Sequence, residues 1–192
     1  MAEAERSPTV VRAAVVDDAE AMGGIAQRSW AATYPGIVPD PVLAEWIAEA
    51  PEAWRTALAA ISPDSPARIW VGEREGRVLG YATTSPAKDN WLPPPDGAGE
   101  LTNLYLDPDA IGTGLGRQLF QHAVDDLRER GFDPLVVWAF RDNPLASRFY
   151  PKMGLVIDVA DHHWVLGGVP CPIVRFRHDW GTAAPSAAPD RA

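Results

Sequence analysis

The 192-residue chain contains one cysteine, Cys171, so it cannot form an internal disulfide and has no cysteine framework of the kind that staples small secreted domains. Flanked by Pro170 and Pro172, that thiol reads as a small packed side chain in a protein of a reducing compartment. Basic charge is also scarce. Seventeen basic side chains against 26 acidic ones leave a net charge of −9, which argues against nucleic-acid backbones and anionic membranes as partners. No apolar run approaches the ~18 residues of a membrane span. The first eight residues carry Glu3 and Glu5 where a secretion signal would carry basic residues and then an apolar stretch, so a cytoplasmic location is expected. The histidines offer no zinc-type spacing: His162 and His163 are adjacent and would point to opposite faces of a strand, so no metal is expected. Neither the Gly-x-Ser-x-Gly elbow of a serine hydrolase nor the Gly-Lys-Ser/Thr of a phosphate-binding P-loop occurs.

What is present fits one globular unit. Hydrophobic residues make up 46% and charged residues 22%, enough apolar material for a sizeable core. One domain is expected over residues 9–180, with flexible tails at 1–8 and 181–192 that are polar or rich in small residues and proline. Thr9 to Ala14 reads as a strand and Ala19 to Ala32 as an amphipathic helix opened by Asp17, Asp18 and Glu20. After the Tyr34-Pro35-Gly36 break, residues 39–61 read as one or two short helices interrupted at Pro51. Ala67 to Glu73 and Arg77 to Ser85 form a hairpin across Arg74-Glu75-Gly76. A long loop follows, stiffened by Pro93 to Pro95 and carrying Trp91. Glu100 to Leu106 and Leu135 to Phe140 are strands, with a helix from Gly114 to Arg130 between them. A short helix spans Asn143 to Met153, and Leu155 to Ala160 and Ile173 to Trp180 close the chain as strands.

The most informative segment is Leu104 to Arg117, LYLDPDAIGTGLGR. Here a strand and a proline turn lead into Gly112, Gly114 and Gly116 at a helix start. Alternate glycines there let a ligand reach backbone N–H groups that have no intrahelical partner, at the helix end that favours negative charge. A pyrophosphate would suit such a cradle. The segment resembles the Arg/Gln-x-x-Gly-x-Gly/Ala motif of the GNAT N-acetyltransferases, filled by Ile111, Gly112, Thr113, Gly114, Leu115 and Gly116, with Ile111 departing from the usual Arg or Gln. A second block, Asn143 to Tyr150 with Gly154, is similar to that family's N-x-x-A-x-x-F-Y segment and its trailing glycine.

The resemblance implies an α/β fold: a mixed, mostly antiparallel central sheet of about seven strands, splayed between strands 4 and 5 and flanked by about four helices. It implies acetyl-CoA as co-substrate and transfer of the acetyl group to a primary amine by direct attack in a ternary complex. The expected cofactor-binding residues are Leu104, Tyr105, Leu106, Gly112, Thr113, Gly114, Leu115, Gly116, Arg117 and Asn143. Strand 4 should bulge near its end, freeing the Leu106 N–H to stabilise an oxyanion. Tyr150 matches the family's general acid, since a phenol with a pKa near ~10 is protonated at neutral pH. Pro151 biases the helix to end a turn early and so bears on where that hydroxyl lies. Glu100, at the start of the splayed strand, is the expected base.

Asp89 and Trp91 in the loop, and Trp30 and Tyr34 in SWAATYPG, are expected on the acceptor side, although aromatics at i and i+4 also fit a plain core pair. All of the net charge lies in residues 1–110, which hold 17 acids and 8 bases against 9 of each in the remainder. An acidic acceptor half facing a neutral half that holds anionic CoA would draw in a small cationic amine. A non-catalytic acyl-CoA-binding module and a protein N-terminal or lysine acetyltransferase stay open as alternatives, as do monomer and homodimer.

Overall fold

The computed structural model describes residues 8–180, and all but Pro8 of the expected tails lies outside the described residues. Seven strands form one mixed sheet: β1 (Val10–Ala13), β2 (Arg68–Arg74), β3 (Arg77–Pro86), β4 (Gly99–Leu106), β5 (Leu135–Phe140), β6 (Val156–Leu166) and β7 (Val169–His178). They lie in the order β1-β2-β3-β4-β5-β7-β6. Every neighbouring pair is antiparallel except β4 and β5, which run parallel. Four α-helices accompany the sheet: α1 (Ala19–Thr33), α2 (Asp40–Ala60), α3 (Leu115–Glu129) and α4 (Pro144–Lys152). This is the architecture that the glycine loop and the Asn143 segment implied.

The central feature is where β4 and β5 part. They pair only at Gly99 with Leu135 and Glu100 with Val136, then separate. Across β3 the register jumps at Thr102, which has no partner because Thr83 faces Asn103 while Thr84 faces Leu101. The bulge therefore sits in the first half of β4 and not near its end. An extra residue there bends and twists the strand just beyond its last contact with β5, which opens the gap.

Local sequence signals were overridden in three places. α2 runs unbroken through Pro51. The proline has no N–H for the Ile47 carbonyl, and the Gln27 side-chain amide donates to that carbonyl instead, at 2.8 Å. Gly23 of α1 makes room for the crossing, since a Cβ there would come within 2.6 Å of Pro51 Cα. α4 continues past Pro151 to Lys152, and its end is tied by Met153 N to Tyr150 O at 3.0 Å and Leu155 N to Tyr150 O at 3.1 Å. β6 and β7 are longer than their apolar runs and meet across Gly167-Gly168. Pro170 and Pro172 are tolerated because they lie beyond the end of β5, and the side of β7 away from β6 carries no ladder there; the Pro172 carbonyl accepts from Arg141 N at 2.9 Å.

Candidate active site

The parting of β4 and β5 opens into a cavity of about 720 Å³ walled by α1, α2, β4, β5, α4, the glycine loop, Trp91 and Trp164. The glycine loop is built from its start. Asp107 closes a 3-10 turn over Pro108–Ala110 by accepting from Asp109 N at 3.2 Å, and the chain then passes through Gly112 (φ 81°) and Gly114 (φ 91°) into α3. Both conformations are left-handed, where a side chain is strained. Among the described residues, no acceptor is paired with the backbone N–H of Gly112, Gly114, Leu115 or Gly116. A Cβ at Gly112 or Gly114 would meet no protein atom within 4 Å, so the space above the loop is open. Arg117 of α3, and Arg148 and Lys152 of α4, whose Phe149 packs beside Gly116, line the cavity without an ion pair among the described residues. Open N–H groups, a helix N-terminus and three cations fit a di-anionic phosphate ester.

Replacing Gly114 with valine should weaken binding of such a ligand by about tenfold or more, because the strained residue also fills the cradle. Gly131, at φ 80° with nothing near its Cβ, lies outside the cavity wall and is the matched control. Gly131→Val should carry similar strain and leave the affinity for CoA unchanged in calorimetry. Equal losses in both variants would show that the effect is only instability.

The edge of β4 supplies donors. Asp107 N donates to Leu79 O of β3 at 2.8 Å, so by alternation the N–H groups of Leu106 and Leu104 point the other way, into the gap left by β5. Asp107 fixes this end of the strand. Its carboxylate accepts from Arg28 of α1 at 2.7 and 3.1 Å; burial pushes its pKa up, but the Arg28 and Asp109 hydrogen bonds outweigh that and hold it below the usual carboxylate range.

Three tyrosines line the cavity close to one another. Tyr34 and Tyr105 share a hydroxyl hydrogen bond of 2.9 Å. Tyr150 is 8% exposed and lies among Phe149, Phe120 and Phe176, yet its hydroxyl has no hydrogen-bond partner among the described residues and it lines the cavity. Desolvation, with a smaller contribution from Tyr105, pushes its pKa well above that of an ordinary phenol. The group is a proton donor held in its neutral form.

Of the residues expected from sequence, Leu104, Tyr105, Leu106, Gly112, Gly114, Gly116, Arg117, Asn143, Tyr150, Trp30, Tyr34 and Trp91 come together in the cavity wall. Asn143 caps α4, its Oδ1 accepting from Leu145 N at 2.9 Å and Ala146 N at 3.2 Å, which leaves its NH₂ group available. Four of the expected residues do not line the cavity. Glu100 does not reach the cavity, because β4 is still paired with β5 at that residue and no gap has opened. Its carboxylate is 4% exposed beneath Lys88 N, and burial raises its pKa. Asp89 is exposed on the loop, outside the wall. Thr113 turns its hydroxyl to Ala110 O at 2.7 Å, and the Leu115 side chain is buried in the core, so neither side chain lines the cavity.

Sequence reasoning missed Trp46, Glu49, Trp138, Trp164, Arg148 and Lys152, all in the wall. Trp46 and Glu49 sit three residues apart on one face of α2, a signal that helical periodicity alone assigns to core and solvent. Glu49 is the one carboxylate among the described lining residues, so the acid comes from the N-terminal half of the chain and the three bases from the C-terminal half.

The known proteins that this chain is similar to are acetyltransferases. The family model of the GNAT acetyltransferases matches residues 24–155. A mycothiol acetyltransferase of Thermomonospora curvata is 34% identical over 89 residues, 46% of this chain and 28% of that protein. Its counterpart in Geodermatophilus obscurus is 28% identical over 144 residues, 73% of this chain and 44% of that protein. The chain thus spans less than half the length of these relatives. Among solved structures, the PaiA N-acetyltransferase of Thermoplasma acidophilum in complex with coenzyme A superimposes with a TM-score of 0.73 at 19% identity, covering 90% of this chain and 99% of that one. A putative acetyltransferase of Salmonella typhimurium, solved with acetyl-CoA, superimposes with a TM-score of 0.65 at 21% identity, covering 97% of this chain and 100% of that one.

Proposed function

Because the chain belongs to the GNAT acetyltransferase family, we propose that residues 9–180 form one domain that transfers an acetyl group from acetyl-CoA to a primary amine by direct attack in a ternary complex. The observation that carries this reading is the convergence, in one cavity, of unpaired glycine-loop N–H groups, cleft-facing N–H groups of Leu104 and Leu106, and the unpartnered Tyr150 hydroxyl. Acetyl-CoA supplies a thioester whose carbonyl carbon accepts the amine. The N–H groups of Gly112, Gly114, Leu115 and Gly116, with Arg117, Arg148 and Lys152, hold its phosphates. Asn143 offers its NH₂ group to the pantetheine amides, and Leu106 N–H steadies the negative charge that develops on the carbonyl oxygen. Tyr150 donates its proton to the sulfur as the carbon–sulfur bond breaks and the carbon–nitrogen bond forms; the proton shed by the amine restores it through solvent.

The acceptor enters from the α1 and α2 side, where Glu49 favours a small cationic amine over an anion. The buried free thiol of Cys171 suits a reducing, cytoplasmic setting. The matched part of the mycothiol acetyltransferases is too short to carry their substrate over to this chain. Release of CoA thiol from acetyl-CoA, measured across a panel of primary amines, tests the proposal. Turnover with at least one amine is expected. Thermal protection by acetyl-CoA without any turnover would make the chain a non-catalytic binding module, and absence of both would overturn the reading altogether.

A further inference from the structure

We infer that the acceptor amine is carried on a flat aromatic body, an inference that rests on the acetyltransferase reading and narrows it. The chain has eight tryptophans. Five of them, Trp30, Trp46, Trp91, Trp138 and Trp164, wall the same cavity, and each is only half-buried. They come from α1, α2, the loop before β4, β5 and β6, so the fold gathers them from five separate segments. Apolar rings left partly open at a concave site mark a surface that a ligand covers.

The rings are fixed in place. Trp46 stacks on Trp164 at 5.4 Å between centroids, and Trp91 meets Trp138 at 5.2 Å and Trp164 at 5.5 Å, both at steep angles. Trp138 is backed by the Arg175 guanidinium, 5.6 Å from its centroid; Arg175 is itself held by Asp158 at 2.9 and 3.0 Å. A prearranged set of tilted and stacked indoles offers a flat ring both edge-to-face and face contacts without reordering side chains.

Charge selects in the same direction. The wall carries one carboxylate, Glu49, and its three cations belong to α3 and α4. A polyamine would bring several ammonium groups to a site with a single acid and would leave the indole faces with nothing flat to cover them. An amine with one charge and an aromatic body satisfies both features, with its nitrogen lying beside Tyr105 and Tyr150.

Phenethylamine, ethanolamine and spermidine separate the possibilities. With acetyl-CoA saturating, kcat/KM for phenethylamine is expected to exceed that for the other two by about tenfold or more. Trp91→Leu, in a loop outside the sheet, should lower the phenethylamine value by about tenfold more than it lowers the ethanolamine value. Tryptophan fluorescence of the CoA-bound protein reads binding independently of turnover: phenethylamine should shift it saturably and spermidine should not. That shift would stand even if no amine were acetylated, which would overturn the enzymatic reading and leave the aromatic site. A preference for spermidine, an equal effect of Trp91→Leu on both amines, or no saturable shift with phenethylamine overturns the inference. If Trp91→Leu changes the circular dichroism spectrum, Trp138→Leu serves in its place with the same expectations.

Discussion

Replacing Tyr150 with phenylalanine is expected to lower kcat by about a hundredfold or more, the range associated with loss of a positioned general acid. Affinity for acetyl-CoA should stay nearly constant, because the ring keeps its contacts with Phe149, Phe120 and Phe176 and only the hydroxyl is lost. The physical basis is the state of the phenol. It is buried and without a hydrogen-bond partner among the described residues, and desolvation pushes its pKa above that of a free phenol, so the proton is in place throughout the working pH range. The pH profile follows from the sign of that shift. Raising the pKa keeps the acid form present at alkaline pH, so the wild-type rate should not fall between pH ~8 and ~10, where an unperturbed phenol with a pKa near ~10 would begin to fail. Activity should instead decline toward acid as the amine substrate becomes protonated, and Tyr150→Phe should keep the midpoint of that limb at a lower plateau. Tyr105→Phe provides the contrast: it breaks the 2.9 Å hydrogen bond with Tyr34 and should disturb substrate binding more than the chemical step. An unchanged kcat in Tyr150→Phe would remove the acid role.

The glycine loop and the Asn143 segment were legible because their conformation is written in local backbone chemistry. A left-handed position needs glycine, a helix start needs a cap, and both lie within a few residues of one another. The strand order and the gap between β4 and β5 followed only by resemblance. Glu100 shows why the site itself was harder to read. Its place at the start of a strand is visible in sequence, but where β4 leaves β5 depends on a bulge at Thr102 that no residue pattern announces, and the carboxylate falls on the paired side of that point. Trp138 lies in the apolar run LVVWAF and Trp164 follows two histidines, so neither stands out from ordinary core or edge positions. They become part of a cavity wall only when the sheet order brings β5 and β6 to the same cavity as α2. Pro51 was misread for a related reason: helix propensity sees the missing N–H, whereas the Gln27 amide that compensates it lies on another helix.

Stability is expected to depend most on a pair far from the chemistry. Asp18 precedes α1, is 6% exposed, and accepts from Arg12 at 2.7 and 2.8 Å and from Val15 N at 2.8 Å. Arg12 also donates to Glu73 at 2.9 Å, so one guanidinium ties β1 to β2 and both to the start of α1. Asp18→Ala should cost about 2 to 4 kcal/mol, the lower end reflecting the partial exposure of Arg12, since it removes both Asp18 hydrogen bonds from the arginine, which keeps only Glu73 and the Ala13 carbonyl, and leaves the Val15 N–H without its acceptor. In a chain of this size that corresponds to a fall in Tm of roughly 5 to 15 °C. The consequence reaches the site because α1 carries Trp30 and Tyr34 into the cavity wall and anchors β4 through Arg28 and Asp107. The pH dependence has a definite sign. The Arg12 hydrogen bonds hold the Asp18 carboxyl below its usual range, so its contribution is complete above pH ~4 and is lost as pH falls through the folded-state value. Thermal melts of wild type and Asp18→Ala should therefore differ most near neutrality and converge in acid. A gap that stays constant down to pH ~2, or a neutral-pH Tm within about 2 °C of wild type, would mean that the pair only balances the cost of its own desolvation.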